Sequence, residues 1–309
     1  MIIKKRGVDM LYMNIQRISI AEANENNSIS EILDFLKEYP RAEIGVGVSK
    51  QKGEFKTPRN EFVKELKNRY LEEVGNICRQ HHIYRDNWDE RHKYIGTLGL
   101  HVNGGCEKKG WPCMMMRGCM PDALRDMMEF CGFDSMQVNF TEGFCLFDLD
   151  KDEIAGNFRR NSRKYDVLDD RRLILPYNRV TKPWVQKFRY DSRKDEWRQY
   201  RNENDFSPWA EIRGRVILNI LYEESFGGNS VAEYERPVFH GICQGYTCGF
   251  APENIVDELD KIEEVQTEKV PVYLDAESDA SGERCLNLSK AAQLCDDIRK
   301  WQLDRAKQK

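Results

Sequence analysis

The sequence predicts an α-rich mixed α+β fold, predominantly helical with a small minor β-sheet or hairpins. Apolar residues recur at three- and four-residue steps over several long windows, and capping and stop residues bracket those windows. Only a few short stretches alternate in the way strands do. A chain of 309 residues can bury a substantial core as one large domain or two ordinary ones, without disulfides.

Taken in order, Ser28-Ile29-Ser30-Glu31 has capping-box spacing ahead of Ile32, Leu33 and Leu36, and Tyr39-Pro40 stops that helix. A second helix starts near Pro58 and runs to about His82, with Val63, Leu66, Tyr70, Val74 and Ile77 on one face. Pro121-Asp122 opens a shorter one ended by Gly132. Ser207-Pro208 opens another, with Trp209, Ile212, Val216 and Ile220 on one face and Gly227-Gly228 closing it. Helices from Pro252 through Ile262 and from Leu288 to the end complete the set. Strands are expected at 42–48 and 94–102, with a hairpin of 137–140 and 144–147 around Thr141-Glu142-Gly143. The stretch 238–250 is broken by glycines. This reading divides the chain into a mixed N-terminal region 1–150, a basic, helical and acidic central region 151–282, and a C-terminal helical arm 283–309.

Charge is unevenly spread. Residues 156–201 hold 14 Lys and Arg against 6 Asp and Glu, a net of +8, and residues 252–279 hold 2 against 10, a net of −8. The whole chain carries only −4. Opposite patches that cancel allow contacts within a chain or between copies of it. No signal-peptide run and no stretch of eighteen apolar residues occurs, so the expectation is a soluble protein made in the cytosol or nucleus. Thiols there stay reduced, so ten cysteines ask for an explanation.

Several chemistries are weighed and set aside. Zinc would need paired ligands, but Cys106, Cys113 and Cys119, and Cys243 and Cys248, form no CxxC knuckle; His101 and His240 lie near them in sequence. Asp148, Asp150 and Asp152 begin like a calcium loop, yet Glu153 and Arg159 stand where glycine and glutamate are required. Five histidines could serve a cysteine nucleophile, though no context singles one out. We therefore expect no enzyme, no cofactor and no metal. Nucleic-acid binding has more support, since Phe158, Tyr165, Trp184, Trp197 and other aromatics interleave with arginines in the basic stretch, as stacking and phosphate contacts require.

The segment 105–122, GCEKKGWPCMMMRGCMPD, suggests a contact surface instead. Seven of the ten methionines lie between Met114 and Met136, and methionine suits adaptable contacts. Trp111, Met114, Met115, Met116, Trp184, Trp197 and Trp301 are the candidate interface residues. Cys106, Cys113, Cys119, Cys243, Cys248 and Cys295 are candidates for disulfides between neighbours. The C-terminal segment is expected to dock on its own chain or to exchange onto another as a swapped arm.

In length, helix content and cysteine number the chain resembles the occlusion-body matrix proteins of insect viruses, the polyhedrins, of the nudivirus kind. That resemblance implies a structural, self-assembling protein that accumulates in the infected nucleus or cytoplasm and crystallises around virions. Copies of itself and the virion surface would be its partners, with no membrane involved. Extracellular occlusion bodies held by ionic, apolar and disulfide contacts would then dissolve in alkali, where tyrosines and thiols ionise. The alternatives are a nucleic-acid-binding viral or mobile-element protein using 156–201, and a cysteine-dependent enzyme.

Overall fold

The computed structural model describes residues 13–21, 23–49, 60–84, 87–103, 110–116, 119–128, 132–139, 172–178, 188–191, 196–199, 217–223, 234, 236–237, 243–266, 271–276 and 285–307. Five strands come first, β1 (Asn14–Ile20), β2 (Ala42–Ser49), β3 (Thr97–Asn103), β4 (Ser135–Val138) and β5 (Arg172–Tyr177). A separate antiparallel hairpin, β6 (Phe188–Asp191) with β7 (Glu196–Gln199), interrupts the series. The series resumes with β8 (Ile217–Glu223), β9 (Gln244–Cys248) and β10 (Pro271–Ala276). All strands except the hairpin pair in parallel, and β10 returns to β1 with Ile18 opposite Leu274 and Ser19 opposite Asp275. The result is a closed eight-stranded parallel barrel.

This overturns the predominantly helical fold. Parallel barrel strands are covered on both faces, so they lack the clean alternation that marks a half-exposed strand. Residues 217–223, read as the tail of a helix from the spacing of Val216 and Ile220, are strand β8. The expected strands at 42–48 and 94–102 are β2 and β3. Residues 137–138 belong to β4, which pairs with β3 and β5 in parallel. The proposed partner strand 144–147 and the acidic turn 148–159 lie outside the described residues.

Helices cover the outside: α1 (Ile29–Glu38), α2 (Asn60–His81), α3 (Trp88–Arg91), α4 (Trp111–Met116), α5 (Asp122–Met128), α6 (Ile255–Val265) and α7 (Leu288–Lys307). Ser28 caps α1 as its spacing predicted, its Oγ accepting from the Glu31 N–H at 3.4 Å. One side chain in two along each strand faces these helices. Ile44, Leu98, Leu100, Met136 and Leu274 are fully buried there against residues such as Leu36, Leu66, Leu124 and Ile298. A second, smaller cluster of Ile174, Leu221 and Tyr273, with Cys243 against it, fills the barrel lumen.

The sulfur-rich segment joins the first of these cores. Trp111 and Met115, expected at a contact surface, are buried, and Met114 packs against the same cluster. Trp301 is buried as well, its Nε1 donating to Asp260 Oδ1 at 2.7 Å. Methionine fills irregular gaps between helix and sheet as readily as it makes an adaptable surface. The side chains of Met116 and Trp197, and all of Trp184, lie outside the described residues. Helix α7 packs on α1, α6 and β1 of its own chain, through Ala291, Leu294, Cys295 and Ile298. Among the described residues no helix is long and apolar enough to cross a membrane.

Cys243, Cys248 and Cys295 form no disulfide within the chain, whereas Cys106 and the side chain of Cys113 lie outside the described residues. Burial pushes the Cys243, Cys248 and Cys295 thiols from an ordinary value of 9.0 up to about 12. Burial likewise raises Tyr70, Tyr234, Tyr246 and Tyr273 well above 10.0. The fold thus holds these groups neutral, and an unfolded chain would ionise them first. Their contribution to stability is fully present below about pH 9 and is lost as pH climbs through the folded values. Urea unfolding should give a constant free energy from pH 6 to 8 and a steep fall between about pH 9 and 12; a flat profile through pH 11 would contradict the burial of these groups.

Candidate functional site

Alternate residues of each strand point into the lumen, and there the two ends of the barrel differ. At the N-terminal end the lumen is closed. Arg17 of β1 donates to Glu43 Oε2 of β2 at 2.5 Å, and Thr97 of β3 donates to the same oxygen at 3.2 Å. Burial works to lower the Arg17 pKa, but the Glu43 carboxylate and its hydrogen bond outweigh it, and the net shift is upward. Just outside the lumen, fully buried Arg91 donates to both Asp134 oxygens, at 3.1 and 3.3 Å, at the entry to β4. Above this layer Tyr273, Ile174 and Leu221 form the apolar plug.

The C-terminal end is polar. His101 of β3 lies across the lumen, its ring within 2.6 Å of where a Cβ on Gly45 would sit, so the glycine in β2 is what makes room for the imidazole. His101 Nε2 faces Ser19 Oγ of β1 at 3.5 Å. Gln137 of β4 reaches to the opposite wall, where its Nε2 donates to Asp275 Oδ2 of β10 at 3.0 Å. The same Nε2 donates to Asn139 Oδ1 at 3.1 Å, and Asn139 Nδ2 donates to Asn103 Oδ1 at 2.9 Å. On the far side Asn178, after β5, donates to Glu223 Oε2 of β8 at 2.8 Å. Polar side chains from β1, β3, β4, β8 and β10 and the residue following β5 therefore gather at this end, and His101 contacts one of them, Ser19.

Such a constellation suits proton transfer on a bound molecule. Imidazole both donates and accepts, the hydroxyl of Ser19 can orient it, and carboxamides and carboxylates on a rigid wall fix a ligand's orientation. In closed parallel barrels, active sites sit at the C-terminal ends of the strands, and residues at the other end serve stability. A barrel of this kind is a common enzyme scaffold, although the scaffold alone names no reaction. No metal-ligating cluster of three or more His, Cys, Asp or Glu occurs among the described residues.

Of the described residues singled out in sequence, His101 alone reaches this site. It had been considered for a zinc site or as a base for a cysteine; in the barrel Cys243 sits near the N-terminal end, beside Arg17 and Tyr273. Cys248 points outward, where its Sγ lies 3.1 Å from the Tyr234 hydroxyl, which donates to Glu258 Oε2 at 2.7 Å. His240 and the basic stretch other than 172–178, 188–191 and 196–199 lie outside the described residues. Ser19, Asn103, Gln137, Asn139, Asn178, Glu223 and Asp275 were missed. A trace of them stands in the sequence: three apolar runs end alike, in His-Val-Asn103, Gln-Val-Asn139 and Pro-Tyr-Asn178. Asparagine recurring just past short apolar runs marks the rim of a barrel once those runs are known to be parallel strands.

No known protein family matches the chain, and no curated protein matches it. Among solved structures it is similar to N-(5'-phosphoribosyl)anthranilate isomerase from Pyrococcus furiosus, at 10% identity and a TM-score of 0.43, over 92% of this chain and 99% of that one. It is also similar to monomers of the dimeric phosphoribosylanthranilate isomerase from Thermotoga maritima, at 8% identity and a TM-score of 0.42, over 92% and 99%. The barrel itself is defined by the pairing of its strands.

Proposed function

We propose that the chain is an enzyme of small-molecule chemistry, in which His101 transfers a proton at the C-terminal mouth of the barrel. One observation carries this reading: the His101 imidazole, 5% exposed, lies against Ser19 at the end of the barrel where separate strands contribute a ring of hydrogen-bonded polar side chains, opposite the ion pair and apolar plug. A ring of that kind costs desolvation and adds little apolar packing, so a purely structural lumen would be better served by leucine and valine. Ser19 and Gln137 are positioning residues in this scheme, and His101 is the proton carrier.

The test is turnover. The intact protein is incubated with the small-molecule fraction of a cell extract, and mass changes are followed by mass spectrometry, for the natural chain and for His101→Gln. Conversion of at least one compound is expected, slowed about 100- to 10,000-fold by His101→Gln with little change in melting temperature. Conversions unaffected by His101→Gln would remove the proposal.

A second reading has its own support. Within the basic, aromatic stretch 156–201, residues 178–201 follow the C-terminal end of β5, and the β6–β7 hairpin lies among them. Nucleic acid could therefore be what this end of the barrel meets. Retention of a single-stranded oligonucleotide at low ionic strength, lost on adding salt, would favour that reading.

A further inference from the structure

We infer that the mouth selects a ligand that presents N–H donors, such as an amidine or the amino edge of a nitrogen heterocycle, and that Gln137 reads it; this rests on the proposal that the mouth is the ligand site. The inference follows from counting hydrogens. Both hydrogens of Gln137 Nε2 are committed, to Asn139 Oδ1 and to Asp275 Oδ2, and these two carbonyl and carboxylate partners fix which way round the amide stands. Its Oε1 is left pointing elsewhere, buried and without a partner, on a side chain only 3% exposed. A second carboxamide oxygen, Asn219 Oδ1, is likewise buried and unpartnered, on a side chain 2% exposed.

Strand register places Gln137 beside His101 and carries Asn219 to a deeper level of the lumen. His101 is opposite Gln137, Gln137 opposite Ile174, and Ile174 opposite Asn219, in one row across β3, β4, β5 and β8. All four face the lumen. Neighbouring strands are about 4.8 Å apart, so Gln137 stands one strand from the imidazole, whereas Asn219, two residues before Leu221 of the plug, lies beneath the plug and away from the mouth. What Gln137 has left to offer is an acceptor. Buried carbonyl oxygens without partners are uncommon and mark a place where a donor is expected to arrive. A phosphate or carboxylate would bring further acceptors to Gln137 and meet the Asp275 carboxylate beyond it. An N–H-bearing ligand satisfies Gln137 Oε1 while its reacting atom stays within reach of His101.

The experiment reads His101 directly. Histidine labelled with 13C in the ring gives five imidazole signals, one for each histidine, and His101→Gln identifies the one that matters. Acetamidinium and inorganic phosphate are titrated into the intact protein. Acetamidinium should move the His101 signal saturably, phosphate should not, and Gln137→Leu should weaken acetamidinium binding at least about tenfold at unchanged melting temperature. Tetramethylammonium, a cation without N–H donors, serves as the second measurement should Gln137→Leu melt early, and it should leave the His101 signal in place. Movement by phosphate and not by acetamidinium would overturn the inference while keeping the mouth as a ligand site. Acetamidinium binding unchanged by Gln137→Leu, or an equal response to tetramethylammonium, would overturn it too, and no response to acetamidinium or phosphate would count against the mouth itself.

Discussion

Gly245→Ala is expected to lower the free energy of unfolding by about 3 kcal/mol or more, measured by urea denaturation. A Cβ on Gly245 of β9 would lie 2.0 Å from both Cε1 and Cζ of Tyr273 and 2.4 Å from its hydroxyl. The ring has nowhere to go, because Tyr273 is 1% exposed and wedged among Ile174, Leu221 and Cys243 in the lumen. Relief must come from moving a strand of a closed barrel, and every such movement strains the pairing on both sides. The glycine is therefore a steric requirement of the plug and not of a turn.

The same geometry predicts which second change repairs the first. Tyr273→Phe removes a buried hydroxyl that has no partner, so alone it should be close to neutral or mildly stabilising. It should not rescue Gly245→Ala, since the collision is with ring carbons that phenylalanine keeps. Tyr273→Leu should cost stability alone, yet combined with Gly245→Ala the loss should fall short of the sum by about 2 kcal/mol. An unchanged urea midpoint for Gly245→Ala would mean that the lumen is not packed as described.

The helices were far more legible in the sequence than the barrel, for physical reasons. Ser28 ahead of Ile32, and the three- and four-residue spacing from Val63 to Ile77, survive as α1 and α2 because these helices have one wet and one dry face. Strands of a closed barrel have two dry faces, and here the inner one is partly polar. Arg17 and Ser19 sit inside β1, Asn219 inside β8 and Asp275 inside β10, each breaking a run that would otherwise read as strand. β1 also carries an irregularity between Ile15 and Arg17 that shifts its alternation. Pro176 argues against a central strand, yet it lies in β5. The sulfur-rich segment that suggested a contact surface is, where described, part of the packing between helix and sheet. The site was illegible for a related reason: its residues stand on five strands and just past a sixth, spread from Ser19 to Asp275, and only closure of the barrel brings them together.

Glu43→Gln should be the other severe substitution, costing about 3 to 5 kcal/mol, because it strands a guanidinium. Arg17 is 7% exposed and Glu43 is fully buried, so water cannot replace the missing charge. Thr97 Oγ1 loses strength in its hydrogen bond at the same time. Removing both charges is a different matter. Arg17→Met with Glu43→Leu takes out the desolvation cost together with the attraction, and such exchanges are often neutral or stabilising. The double variant should unfold within about 1 kcal/mol of the natural chain once the small unmet need of Thr97 is included. Urea denaturation separates the outcomes, and a mild Glu43→Gln would show that the pair is hydrated. The ion pair also bears on function through position. It closes the N-terminal end of the lumen, beneath the Tyr273 plug and away from His101, so an apolar replacement should leave His101-dependent conversion intact. A double variant that is stable but loses that conversion would place the chemistry at the wrong end of the barrel.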